Sequence, residues 1–152
     1  MSFWRICRAL HTSETATGEG ARLFGGRWNS RGIRVVYALT SLALAAVETF
    51  VHLEPNLQPA DLVYVEGEIP KDLPVERLDF RALPPDWFHT RDESLRRFGD
   101  EWIRSARTVT LLVPSAAIRG NWNILLNPGH ESFAGVRFQP PQPFEFDIRM
   151  FR

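Results

Sequence analysis

The chain has 152 residues, 18 basic and 18 acidic side chains, and a formal net charge of zero. That length fits one domain, residues 1–152, with a sizeable core, and the balanced charge without a Lys/Arg run argues against a nucleic-acid surface. Cys7 is the only cysteine, which excludes an intrachain disulfide and a thiolate metal centre.

The first stretch, MSFWRICRAL, is too short and too broken by Arg5 and Arg8 for a signal peptide. Residues 3–10 alternate instead as a first strand, with Cys7 as a buried thiol. A polar segment from His11 to Glu19 leads into a glycine-punctuated loop, GEGARLFGGRWNSRG. Ile33–Leu39 is β-branched and predicts a buried strand, with Ile33, Val35 and Tyr37 on one face. Thr40 or Ser41 then caps a helix, SLALAAVETFVHL, whose apolar run is interrupted by Glu48 and falls far short of a membrane span. The expected location is cytoplasmic.

Leu62–Ile69 alternates as a strand with Glu66 and Glu68 outward. From Pro70 to Asp86 the density of prolines predicts an irregular surface connection. Thr90 and Glu93 stand at capping-box spacing, and Leu95, Phe98, Trp102 and Ala106 recur at helical intervals, with Gly99 weakening the middle. Thr108–Val113 predicts a short buried strand. A Pro/Asn/Gly-rich stretch follows to Phe133–Gln139, and Phe144–Phe151 alternates as a half-exposed strand. Strands not regularly interleaved with helices indicate an α+β fold.

Four features carry chemistry. Glu48 has Leu44 at i−4, Ala45 at i−3 and Val51 at i+3, so its carboxylate lies beside an apolar stripe and needs a partner or a task. The plain alternative is an edge glutamate paired with an arginine from a nearby strand. In the glycine loop, Arg22, Arg27, Arg31 and Arg34 could wrap a pyrophosphate, though the spacing is neither GxGxxG nor a P-loop, and a simple glycine-rich connection explains the glycines equally well. Lys71 is the sole lysine; codon bias accounts for most of this arginine excess, but the guanidinium fork suits phosphates and carboxylates. Ser115, in VPSA after a buried strand, is a ligand donor or a turn residue, with no GxSxG elbow to make it a nucleophile. Asn127 and His130, in NPGH, could hydrogen-bond a ligand. His11, His52, His89 and His130 have no metal-ligand spacing, so no metal site is expected.

The string GEGARLFGGRWNSRGIRVVYALTSLALAAVETFVHL resembles the RES domain, the toxin component of RES–Xre toxin–antitoxin pairs. The early WRI, then GDEW, VPSA, NPGH and the closing FEFDIRMF follow in the family's order, so the resemblance spans nearly the whole chain. It implies an ADP-ribosyltransferase-like fold, a split and mainly antiparallel sheet with flanking helices around an NAD cleft. It also implies NAD depletion by hydrolysis or phosphorolysis, or ADP-ribosylation of a protein, with NAD as substrate and no cofactor. The resemblance places the family's arginine, tyrosine and glutamate on Arg27, Tyr37 and Glu48. It places the first-strand arginine on Arg5, with Arg8 as the alternative register, and the polar serine and asparagine on Ser115 and Asn127. A cognate Xre-type antitoxin is the implied partner, with a toxin dimer inside a larger complex.

Overall fold

The computed structural model describes residues 1–54, 57–90 and 93–151. Among them, strand β1 (Ser2–Arg8) is followed by a 3₁₀ turn at Ala9–Glu14, a short helix α1 (Glu19–Phe24), strand β2 (Val36–Leu39) and helix α2 (Leu42–Phe50). Strands β3 (Leu62–Glu68) and β4 (Val75–Arg77) precede helix α3 (Glu93–Ser105), and β5 (Thr110–Pro114), β6 (Trp122–Leu126), β7 (Arg137–Phe138) and β8 (Gln142–Pro143) complete the sheet. The strand order is β4-β5-β6-β2-β1-β3-β7, with β8 also on β3. Every pairing is antiparallel except β4 with β5. This is the α+β architecture that the element pattern predicts, with the mainly antiparallel sheet that the resemblance implies.

The centre of the sheet is apolar on both faces, which explains the unbroken β-branched run around β2. Val36 and Ala38 pack with Phe3, Ile124, Leu126 and Ile69 on one face. Val35, with Tyr37 against it, packs with Leu111, Val113, Leu125, Trp28 and the α3 residues Leu95 and Trp102 on the other. α3 comes close to the glycine loop because residue 99 has no side chain: a Cβ there would lie 1.8 Å from the Trp28 carbonyl oxygen. Asp100 completes that junction by accepting from the Ser30 amide (2.9 Å) and hydroxyl (2.6 Å).

The sheet has a seam. β1 pairs with β3 all along, from Ser2–Glu68 to Arg8–Leu62, but meets β2 at one register position, Trp4 with Leu39. Beyond that pair the ladder gives way, and the Arg5 guanidinium donates to the Tyr37 carbonyl across the gap (3.0 Å). This is the split in the sheet.

Several elements differ from the sequence expectation. The glycine-punctuated loop contains α1, stabilised by Glu19 between Arg22 and Arg34. The proline-rich connection contributes β4, an edge strand where missing amide donors are tolerated. The Pro/Asn/Gly-rich stretch holds β6, a central strand flanked by β5 and β2. Of Phe133–Gln139 only Arg137–Phe138 is a strand, after a 3₁₀ turn at Glu131–Gly135. Phe144–Phe151 is not a strand. The Phe146 ring lies 5.0 Å from Phe144, 5.9 Å from Phe151 and 5.8 Å from Phe50, so the chain folds back to bring these rings together. The Asp147 carboxylate, accepting from the Arg149 amide (2.8 Å), fixes the turn. The capping-box reading spans residues 91 and 92, which lie outside the described ones; the Thr90 hydroxyl donates to the Trp87 carbonyl (3.5 Å).

Candidate active site

Ser41 caps α2 as predicted, accepting from the Leu44 amide at 3.1 Å. The helix packs on β1 and β2 through the buried Leu44 and Ala45, which carries Glu48, one turn further on, to the end of the sheet where β5 and β6 meet. There Glu48 Oε1 accepts two bonds, from the Ser115 hydroxyl (2.8 Å) and from the Asn123 side-chain amide (2.8 Å). Ser115 is fully buried; its oxygen also accepts from the Ile118 amide (3.0 Å), so the VPSA turn holds it in place. Both bonds fall on one carboxylate oxygen. Glu48 Oε2 has no hydrogen bond to a described residue. The alternative reading, an edge glutamate paired with an arginine, is not what the described residues show: the carboxylate is held by two neutral donors.

Tyr37 lies beside this cluster. It pairs with Leu125 on β6, and Asn123 is two residues along the same strand and on the same face. Such diagonal neighbours are about 7–8 Å apart. The Tyr37 hydroxyl donates to Asn29 Oδ1 (2.7 Å) and accepts from the Trp28 amide (3.2 Å). Burial pushes this phenol well above the ordinary tyrosine range, so it stays neutral. Gly26 makes room for it, since a Cβ there would lie 2.6 Å from the hydroxyl. Tyr37 therefore ties the sheet to the GGRWN loop as well as offering its ring to the cluster's side of the sheet.

Arg27 comes from the same loop, close enough to the Tyr37 phenol to act on it electrostatically. Its guanidinium donates to the carbonyls of Trp87 (3.1 Å) and Thr90. The same short segment bears Phe88, under the guanidinium of Arg119 at 4.1 Å, and Arg119 belongs to the turn that follows Ser115. Segment 87–90 thus links the arginine to the turn that fixes Glu48. Arg5 stands at the seam, bonded to the backbone of Tyr37, with its Nε buried and unbonded; burial lowers its pKa. Arg8 instead pairs with Asp61 at the surface (2.9 Å), so Arg5 is the first-strand arginine directed at β2.

Asn127 lies at the far end of β6. Its amide donates to the Ile103 carbonyl (3.4 Å) and its oxygen accepts from the Gly129 amide (2.9 Å), which closes the NPGH turn. The His130 ring accepts from the Ser132 amide within the following turn. The asparagine that reaches Glu48 is Asn123, which the sequence reading did not single out. The signal was available: in WNILL, Asn123 and Leu125 share one face of a strand whose alternate residue, Ile124, is apolar. Asn123 also keeps its Oδ1 buried and unbonded. Among the described residues, no group of three or more His, Cys, Asp or Glu side chains is placed to hold a metal ion, and no helix is long and apolar enough to cross a membrane.

The chain matches the family described as RES domain over residues 2–147. It is 37% identical over 156 residues to the Prs ADP-ribosylating toxin of Sphingobium sp. (strain YBL2), spanning 99% of this chain and 97% of the relative. It is 33% identical over 152 residues to Toxin Res of Yersinia enterocolitica, spanning 99% of each. Among solved structures it resembles a chain of the M. tuberculosis MbcT–MbcA toxin–antitoxin complex, with a TM-score of 0.69 at 17% identity, over 99% of this chain and 86% of that one. At that identity the likeness concerns the fold.

Proposed function

The chain belongs to the RES domain family, and from that premise we propose that it is the toxin of a toxin–antitoxin pair, acting as one domain over residues 1–152 and consuming NAD by cleaving its nicotinamide–ribose bond. One observation carries this reading. Glu48 is anchored through a single carboxylate oxygen by Ser115 and Asn123, at 2.8 Å each, and its second oxygen is available to a ligand.

Nicotinamide in NAD is already a cationic pyridinium, so the bond to the ribose breaks without a general acid. The bonding electrons go to the ring nitrogen, and positive charge develops on the ribose as in glycoside cleavage. A pre-oriented carboxylate stabilises that charge, and Glu48 Oε2 takes this role by accepting from a ribose hydroxyl. Ser115 and Asn123 act through Glu48 and are positioning residues. The Tyr37 ring packs against nicotinamide. Arg27 and Arg5 bind the anionic part of the dinucleotide by charge-assisted hydrogen bonds. Asn127, engaged by its own turn, supports the end of β6 in this reading. Water or phosphate attacks the anomeric carbon.

The test is NAD loss and release of free ADP-ribose, or its phosphate, in purified reactions of wild type beside Glu48→Ala, Arg27→Ala and Tyr37→Phe. Loss of activity in Glu48→Ala with unchanged folding supports the reading; equal NAD consumption by that variant overturns it.

A second reading has a specific basis, since the Sphingobium relative is described as ADP-ribosylating Prs. In it the same Glu48 chemistry transfers ADP-ribose to a protein side chain, and labelled NAD then marks protein while little free ADP-ribose appears. A catalytically silent antitoxin-binding domain predicts instead that Glu48→Ala leaves toxicity unchanged. The partner in either enzymatic reading is a cognate antitoxin of the Xre type.

A further inference from the structure

Surface arginines of this chain are generally matched. Arg8 pairs with Asp61, Arg22 and Arg34 with Glu19, Arg81 with Asp79, Arg107 with Glu76, Arg137 with Glu68 and Arg149 with Asp147. Arg77 and Arg119 lie over aromatic rings. Besides Arg104 in the last turn of α3, three arginines depart from this pattern: Arg31, Arg96 and Arg97 have no side-chain hydrogen bond or ion pair to a described residue. All three line one cavity of about 590 Å³ between the glycine loop and the first half of α3, together with Phe24, Gly25, Ser30 and Glu93.

Arg96 is the informative member. Its Nε is shielded from solvent and has no acceptor among the described residues, which costs free energy unless an acceptor arrives. Three guanidiniums around one cavity also repel one another. With Glu93 as the one carboxylate among the described lining residues, their three positive charges less one negative leave a net charge of two. A phosphate or pyrophosphate group carries charge of that order and presents oxygens that match guanidinium forks.

We propose that this cavity is an anion site for a phosphate-bearing ligand, held by Arg31, Arg96 and Arg97. The ligand bridges the glycine loop to α3, beside the existing Ser30–Asp100 link. Gly25, Ser30 and Arg31 flank Arg27 in the chain, so an occupied cavity stiffens the loop that aims Arg27 at segment 87–90. The phosphate comes either from a nucleotide or from a free ion. Phe24, 76% exposed at the rim, offers an apolar wall to a base in the first case.

The binding measurement does not depend on NAD being cleaved. The full-length chain is titrated calorimetrically with inorganic phosphate, pyrophosphate and ADP-ribose near physiological salt, where exposed charges are screened. Saturable binding is expected, weakened at least about tenfold by Arg96→Ala and by Arg97→Ala, as the loss of a charge-assisted bond predicts. Arg149→Ala, which removes an equal charge elsewhere, leaves it unchanged. Tighter binding of ADP-ribose than of pyrophosphate identifies a nucleotide as the source, and equal binding identifies the phosphate group alone; either supports the site. Absence of saturable binding by all three probes overturns it. So does equal weakening by Arg149→Ala, or binding indifferent to both Arg96→Ala and Arg97→Ala. Arg97 is exposed, so its variant keeps the test decisive if Arg96→Ala fails to fold.

Discussion

Both donors to Glu48 act on the same oxygen, so removing either one releases the carboxylate to rotate without creating a charge. Asn123→Ala and Ser115→Ala are therefore expected to lower kcat for NAD cleavage by roughly ten- to a hundredfold with a smaller change in KM, the signature of an interaction that matters in the transition state. Steady-state kinetics checks this, and a rise in the variants' KM at constant kcat counts against it. Tyr37 carries a different expectation. Its phenol is held above its ordinary range by burial, so the fold favours the neutral form. The corresponding stability is fully present below pH about 10, the ordinary tyrosine value, and is lost as pH rises through the higher folded-state value. Urea midpoints should thus fall more steeply above pH 10 in wild type than in Tyr37→Phe. Glu48 was legible in the sequence because a carboxylate beside an apolar stripe needs an explanation. Asn123 was not, because asparagines crowd the NWNILLNPGH stretch and Asn127, beside Pro128 and Gly129, drew the eye to a turn.

At the level of elements, the long periodic segments were readable and the short ones were not. β1, α2 and β3 follow from alternation, helix propensity and a cap. β6 is hidden among turn-forming residues, and its place between two strands is fixed by long-range pairing that local pattern does not report. The closing segment misled in the other direction: its period of two is that of a strand, yet ring packing against Phe50 decides its path. Phe146→Ala should accordingly cost about 3–5 kcal/mol, as for other buried aromatics, measured by chemical denaturation. Gly99 shows a helix accepting a poor residue for contact. The sequence marks it as a weak point in α3, whereas the structure makes it the condition for α3 to meet Trp28. Gly99→Ala, favourable by helix propensity alone, is expected to destabilise by about 1–3 kcal/mol through overpacking. A gain in stability from that change would show that the helix shifts freely.

Across the whole molecule, the seam between β1 and β2 divides the sheet into a part bearing β3, β7 and β8 and a part bearing β4, β5, β6 and β2. Arg5 bridges the parts, while Arg8, three residues further along the same strand, forms a surface pair. Arg5→Ala should lower stability by about 1.5–3 kcal/mol, the range for a bond to a charged group. Arg8→Ala should change it by less than about 1 kcal/mol, as exposed ion pairs do. Thermal melts of the two variants separate these outcomes. The first-strand arginine was foreseeable by resemblance, but choosing between the two required seeing which one faces β2.

The bonds at Glu48 also join distant parts of the chain: the glutamate is on α2, and its donors, Ser115 and Asn123, come 67 and 75 residues later. On the ribosome, where a chain grows at about 5–20 residues per second, the carboxylate emerges several seconds before either donor is made. A polypeptide released before Ser115 carries the reactive acid without the means to orient it. Termination between Glu48 and Ser115 is therefore expected to yield a product in which the carboxylate has neither of its two donors.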